Sequence, residues 1–146
     1  MATHATYEQL RERWKTADGK ERLAKVIAAA KKQENWAPIL KGFPCVEEVE
    51  NGRDLRFVEL PGAKLREADL IEANLIEADI RWADLRDADL RDADLRGADL
   101  VQACLDSSTL TGAKLYGTAR DDWSIKGVKC DYVFWDREAE ERSPSS

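Results

Sequence analysis

Apolar residues return along the middle of this chain with a period of five. From Leu55 to Leu115 every fifth residue is leucine, with Ile80 the single variant. Two places before each, from Ala63 to Ala113, stands alanine, with Ser108 the single variant. This spacing suits neither regular element. Five residues on an α-helix advance about 500°, so successive leucines would step about 140° around the axis and share no face. On a flat strand an odd spacing sends them to opposite sides. The alanine and leucine of one unit, two apart, do share a strand face. Both observations are met if each short extended piece points its pair inward and the chain then turns a corner. One such unit cannot bury its leucine alone, but stacked coils of units make a continuous core. The pattern predicts a solenoid.

The units Ala68-Asp69-Leu70, Ala73-Asn74-Leu75, Ala78-Asp79-Ile80, Ala83-Asp84-Leu85, Ala88-Asp89-Leu90, Ala93-Asp94-Leu95 and Ala98-Asp99-Leu100 carry a second regularity. They resemble the A-(D/N)-L-x-x unit of the pentapeptide-repeat family. The resemblance implies a mainly β fold, a right-handed quadrilateral parallel β-helix with four pentapeptides per coil. It covers residues 53 to 135, about four coils. The match degrades at both ends. Arg53 and Val58 replace the inward small residue, Cys104, Thr109 and Lys114 replace the Asp or Asn, and Arg120 falls on a leucine position.

An open solenoid needs a cover at each end. Residues 1–50 are expected to be an N-terminal α-helical cap. Thr6 and Gln9 read as a capping box for a short helix carrying Leu10 and Trp14. A second helix opening at Asp18-Gly19 places Leu23, Val26, Ile27 and Ala30 on one face, with Lys31 and Lys32 near its end. Residues 51–136 are read as the β-helix, and 137–146, charged and then Ser-Pro-Ser-Ser, as a disordered tail. Trp123 and Trp135 stand where small or branched residues belong, which calls for a widened last coil or a lid. Arg120 on an inward position would be a buried, unpaired charge, so an irregular coil is expected from about 118, opening near Thr118 to Asp122.

Charge sharpens the functional reading. Residues 1–52 carry nine basic and eight acidic side chains, whereas 53–136 carry twelve and eighteen, so the net charge of -6 sits on the solenoid. A negative surface argues against direct nucleic acid binding and against anionic membranes. There is no long apolar run and no signal-like start, so the expected compartment is cytoplasmic. Cys45, Cys104 and Cys130 lack disulfide or zinc spacing and read as reduced thiols, Cys130 on the inward phase.

No catalytic residue, cofactor site or metal site is expected. His4 is the single histidine and sits near the terminus. The aspartates before each leucine suit Asx turns, in which the carboxylate accepts from nearby backbone N–H groups. If one coil is about twenty residues, Arg66 and Arg86 align beside Glu67 and Asp87 as exposed pairs. The outward apolar residues are harder to place. Phe57, Ile76 and Tyr116 map to one face, and Pro61, Trp82 and Val101 to the adjoining one. Either the N-terminal helices fold over this edge, burying Trp82 against Leu10, Trp14 or Val26, or it is a patch for another protein or a second copy. The leading expectation is a non-enzymatic protein-interaction scaffold. The alternative, suggested by the resemblance, is a DNA-mimic-type modulator of a type II topoisomerase.

Overall fold

The corner demanded by the five-residue period is present at every repeat. In a computed structural model of the chain, which describes residues 4–135 and 142–144, parallel bridges join residues twenty apart, from Asp54↔Asn74 to Lys114↔Phe134. One coil is therefore four pentapeptides, and leucine stacks over the leucine twenty residues on. The ladder is regular. Leu70 N–H donates to Asp89 O at 2.9 Å, Asp89 N–H to Ala68 O at 2.9 Å, and Glu72 N–H to Arg91 O at 2.8 Å. These bonds satisfy the backbone polar groups of the walls, while the alanines and leucines from Leu65 to Leu115 line a buried interior.

Regular strand is nevertheless sparse. Among the described residues only β1 (Tyr132–Phe134) and β2 (Arg142–Pro144) are extended strands, paired antiparallel. The expectation of a mainly β chain meets a wall of single bridges instead, because only two or three residues separate one corner from the next. The corners explain the rest of the repeat. Ala68 N–H bonds back to Leu65 O at 3.1 Å, closing a four-residue turn. Its third residue, Glu67, has φ of 63°, and Glu72, Glu77, Trp82, Asp87, Asp92, Gln102 and Ser107 repeat that left-handed value. Positive φ at the third position is the mark of a type II turn. Leu60-Pro61-Gly62-Ala63 fills it with the preferred residues, so Pro61 has a structural reason to be where it is. Gly97, Gly112, Gly117 and Gly127 fill the same position further on; at the remaining corners the chain holds non-glycine residues in αL, and the ladder of neighbouring coils overrides their local reluctance.

The N-terminal end is closed by helices. Helix α1 (Tyr7–Glu12) opens on Thr6, whose hydroxyl accepts from Gln9 N–H while the Gln9 side chain accepts from Thr6 N–H. A 3-10 turn at Arg13–Lys15 carries Trp14, and α2 (Ala17–Lys31) follows with Thr16 as its cap. Gly19 lets α2 start hard against that turn, since a β-carbon there would lie 2.2 Å from Arg13 O. The α2 face of Leu23, Val26, Ile27 and Ala30 covers the leucines of the first coil. Its end also supplies backbone, because Ala30 O accepts from Asp69 N–H at 2.9 Å, and the Trp36 indole donates to Asp69 O at 2.8 Å.

Beneath the cap lies a buried ion pair that sequence reading did not anticipate. Arg13 grips Asp54 with both terminal nitrogens at 2.8 and 2.9 Å, and both residues are buried. Arg53, on the inward phase of the first coil, turns to Asp69 at 3.1 Å and lies 4.9 Å over the Trp36 ring.

At the other end the coil does not open near Thr118–Asp122, contrary to expectation. Bridges Asp99↔Ala119, Cys104↔Ser124 and Thr109↔Lys129 continue it. Arg120 escapes burial because it belongs to the last coil. There the half-buried side chain lays its guanidinium 4.5 Å from the Trp135 ring and 5.7 Å from Trp123, so the charge is stacked on aromatic rings. The tail expected to be disordered over 137–146 lies outside the described residues except for β2.

Candidate interaction surface

The six outward apolar residues separate once the coils are stacked. Phe57 is buried beneath Tyr7, ring centroids 5.1 Å apart, with the Arg11 guanidinium 5.4 Å from its centroid. It belongs to the seam with α1, which is also pinned by the Trp14 indole donating to Arg56 O at 2.8 Å. Pro61 is an exposed corner residue, and Ile76 and Val101 are half-buried along the walls. Tyr116 is 43% exposed and Trp82 is 54% exposed.

Helical cover of Trp82 is overturned. Leu10, Trp14 and Val26 are all buried at the capped end, a coil away from it. Trp82 instead leans along its own wall. Its indole N–H donates to Gln102, one coil further on, and the Arg81 guanidinium lies 5.2 Å from the ring centroid. One edge of the ring is thereby held while much of its surface faces solvent.

The surroundings of Trp82 are charged but internally paired. Arg81 bonds back to Asp79 at 2.8 Å and reaches Asp99 of the next coil at 3.7 Å. The same fork recurs at Asp84–Arg86, Asp89–Arg91 and Asp94–Arg96, at 2.7, 2.7 and 2.6 Å. In each case the aspartate also accepts the backbone N–H of that arginine. The Asx turns expected from sequence are thus present, with a guanidinium added. Arg66 does reach Asp87, at 3.6 Å, but Arg86 pairs with Asp84 rather than with Glu67 or Asp87. The legible signal was the repeated D-(L/I)-R triplet, because residues two apart across a corner share one outer face.

These forks set the acid–base character of the wall. The Arg86 fork holds Asp84 down at about 2. Arg81 likewise lowers Asp79. At Asp89 burial pushes upward, but the hydrogen bonds from Arg91 prevail and its carboxyl is lowered. The carboxylates are therefore fixed acceptors, spent on their neighbours, and poorly suited to exchanging protons near neutrality. Where Asp is missing from the repeat the wall improvises. Asp106 accepts from the Ser124 hydroxyl and from Lys126 N–H across the coils, covering the column of Cys104. The three cysteines are free and half-buried, and burial pushes the Cys130 thiol up. His4 is fully exposed, 3.8 Å from Glu48.

Comparison with known proteins adds a family context. A family model for pentapeptide repeats matches residues 54–87 and 73–112, with eight copies. A pentapeptide repeat protein from the Arabidopsis thaliana thylakoid lumen is 35% identical over 51% of this chain and 49% of its own, with a TM-score of 0.43. One from the cyanobacterium Cyanothece 51142 is 31% identical over 57% of this chain and 60% of its own, with a TM-score of 0.31. Another, from Nostoc PCC 7120, is 33% identical over 64% of this chain and 78% of its own, with a TM-score of 0.29. The chain spans about half the length of the Arabidopsis protein it matches. No protein of curated function matches it.

Proposed function

The chain belongs to the pentapeptide-repeat family, and from that premise we propose that it is a non-enzymatic protein-interaction scaffold, wound as a right-handed quadrilateral β-helix. The docking face is the wall around Trp82. The observation that carries this reading is an aromatic ring left 54% exposed yet held in place from two sides by Gln102 and Arg81. A pre-positioned tryptophan loses little freedom on binding, and such residues dominate interface energetics. The forked Arg–Asp pairs around it offer a rigid polar rim that needs no rearrangement when a partner arrives. Affinity capture with the intact chain and with Trp82→Ala tests the reading. A partner held by the first and released by the second, at unchanged thermal stability, supports it. Equal capture by both chains refutes this location.

The net charge of -6 favours a second reading, a duplex-like modulator of a type II topoisomerase. The forks weigh against it, because Arg81, Arg86, Arg91 and Arg96 neutralise the columns that would imitate phosphates. A supercoiling assay that stays unchanged at high protein concentration removes that reading.

A further inference from the structure

Acid is unevenly spread over the four walls of the tube. Residues 58–62, 78–82, 98–102 and 118–122 stack as one wall, which carries five acidic side chains against two basic ones. One of those two, Arg120, lies against Trp135. The opposite wall, 68–72, 88–92, 108–112 and 128–132, has the same imbalance. The walls between them are close to balanced, with four basic and three acidic residues on the one starting at Arg53 and four of each on the one starting at Ala63. Trp82 stands on the first of the acidic walls. The other exposed aromatics of the coils, Tyr116 and Trp135, belong to the balanced wall that starts at Arg53. Among the described residues, one wall alone joins an exposed tryptophan to an acidic field.

Within that wall the acidic and apolar residues run in separate rows along the tube. Glu59, Asp79 and Asp99 stand one above another, joined by the Glu59↔Asp79 and Asp79↔Asp99 bridges. Asp121 and Asp122 carry the acid on to the last coil. Beside this row, at the corner, Pro61, Trp82 and Val101 occupy successive coils. The carboxylates are only partly satisfied from within. Arg81 serves Asp79 at 2.8 Å and reaches Asp99 at 3.7 Å. Glu59, Asp121 and Asp122 are exposed and make no ion pair among the described residues. Such a surface selects a partner of opposite charge and steers its approach.

We propose that the occupant of the Trp82 wall is a basic amphipathic α-helix of another protein, lying along the tube. A row of Lys or Arg meets Glu59, Asp99 and the Asp121–Asp122 pair, and the adjacent apolar row packs on Pro61, Trp82 and Val101. This occupant presupposes that the Trp82 wall is the docking face. The repeat favours a helix over an extended strand. Coils stack about 4.8 Å apart, and a helix returns to the same face about every 5.4 Å. Over the three coil-to-coil steps from Glu59 to Ala119 the two rulers drift apart by only about 2 Å. A strand repeats a face about every 6.7 Å and falls about 6 Å out of step over the same distance. Helical side chains at i and i+4 form one row with a second row beside it, which is the arrangement of this wall. A cation in the basic row also gains from the exposed indole face.

The test uses the full chain and an alanine-based helical peptide of about 20 residues, with lysine at every fourth position and leucine in the adjacent row. Calorimetry gives the affinity, and the indole N–H NMR signal of Trp82, identified by its loss in Trp82→Phe, gives the location. The expected result is saturable binding that shifts this signal. The dissociation constant should rise roughly tenfold or more in the double variant Glu59→Gln/Asp99→Asn, in Trp82→Ala, and at about 0.5 M salt. Asparagine at 99 keeps the turn, since Asn74 fills the same repeat position and accepts Ile76 N–H. Glu72→Gln on the opposite wall should leave the affinity unchanged, and thermal melts confirm that each variant is folded. Two further peptides need no variant: glutamate in place of lysine, and a shuffled order that scatters lysine around the helix, should both lose binding. No shift with the basic peptide overturns the proposal. Equal binding by the shuffled peptide does so too, as does an affinity indifferent to salt and to the double variant. If Trp82-dependent capture of a partner survives that failure, the docking wall stands and the basic helix is wrong; equal capture by the intact chain and Trp82→Ala removes the wall as well.

Discussion

The two ends of the solenoid meet one problem with different means. Each exposes coil backbone and an apolar bore, and each carries an arginine where the repeat calls for an aliphatic residue. At the N-terminal end Arg53 lies on Trp36 and bonds Asp69, roofed by α2 and locked by the buried Arg13–Asp54 pair. At the C-terminal end Arg120 lies against Trp135 and Trp123, with β2 covering one side. An arginine at a coil end is tolerated because the repeat's inward direction there has no further coil to press on it. What differs is the cover. The first end is roofed by helices, whereas at the second the described residues add a single short strand on one side.

That contrast can be broken most severely at Arg13. Arg13→Ala leaves Asp54 buried, with Arg56 its remaining partner at 2.9 Å, and should cost about 3 kcal/mol or more. Urea denaturation measures it, and a loss below about 1 kcal/mol would mean that the pair is no lock. A matched pair of truncations follows in size. Leu105 and Ile125 occupy one column, the first fully buried and the second 42% exposed. Leu105→Ala should cost about 2–5 kcal/mol, whereas Ile125→Ala should stay within about 1 kcal/mol. Equal losses would show that the last coil is as tightly packed as the middle.

A smaller effect of opposite sign is expected at Ser108. Its hydroxyl is buried among the alanine positions and meets no hydrogen-bond partner among the described residues, so Ser108→Ala should raise stability by about 1 kcal/mol. A destabilised variant would reveal a partner for that oxygen. The smallest effect concerns acid. Asp84 titrates at about 2 in the folded chain against 3.8 ordinarily. The fold therefore favours its ionised form. The fork adds stability above about pH 4, and that contribution disappears as pH falls through about 2. Arg86→Ala should return Asp84 toward 3.8, visible by carboxyl NMR titration, and move the acid limb of unfolding upward. The exposure of this pair keeps the change in stability slight.

Much of this architecture was legible in the residues. The five-residue period dictated inward alanine and leucine, the aspartate before each leucine suited an Asx turn, and the twenty-residue coil was implied by the resemblance to the pentapeptide-repeat family. The Thr6–Gln9 cap and the apolar face of α2 were equally plain. Less visible were the left-handed corners, since Glu, Asp and Trp occupy them where a turn rule would ask for glycine. The Arg–Asp forks were written as a triplet yet read as cross-coil pairs. The Trp82 question could not be decided from spacing at all, because it depended on where the helices dock.

The chain by itself determined the repeat, because periodicity is a local property and each unit meets the same neighbours above and below. Only the tertiary structure decided how the tube is finished. The contacts that finish it, Arg13 with Asp54 and Arg120 with Trp135, join segments whose separation in sequence follows no period. Which charge is buried and which aromatic ring stays in solvent was settled by the three-dimensional meeting of those segments, and no spacing rule contains it.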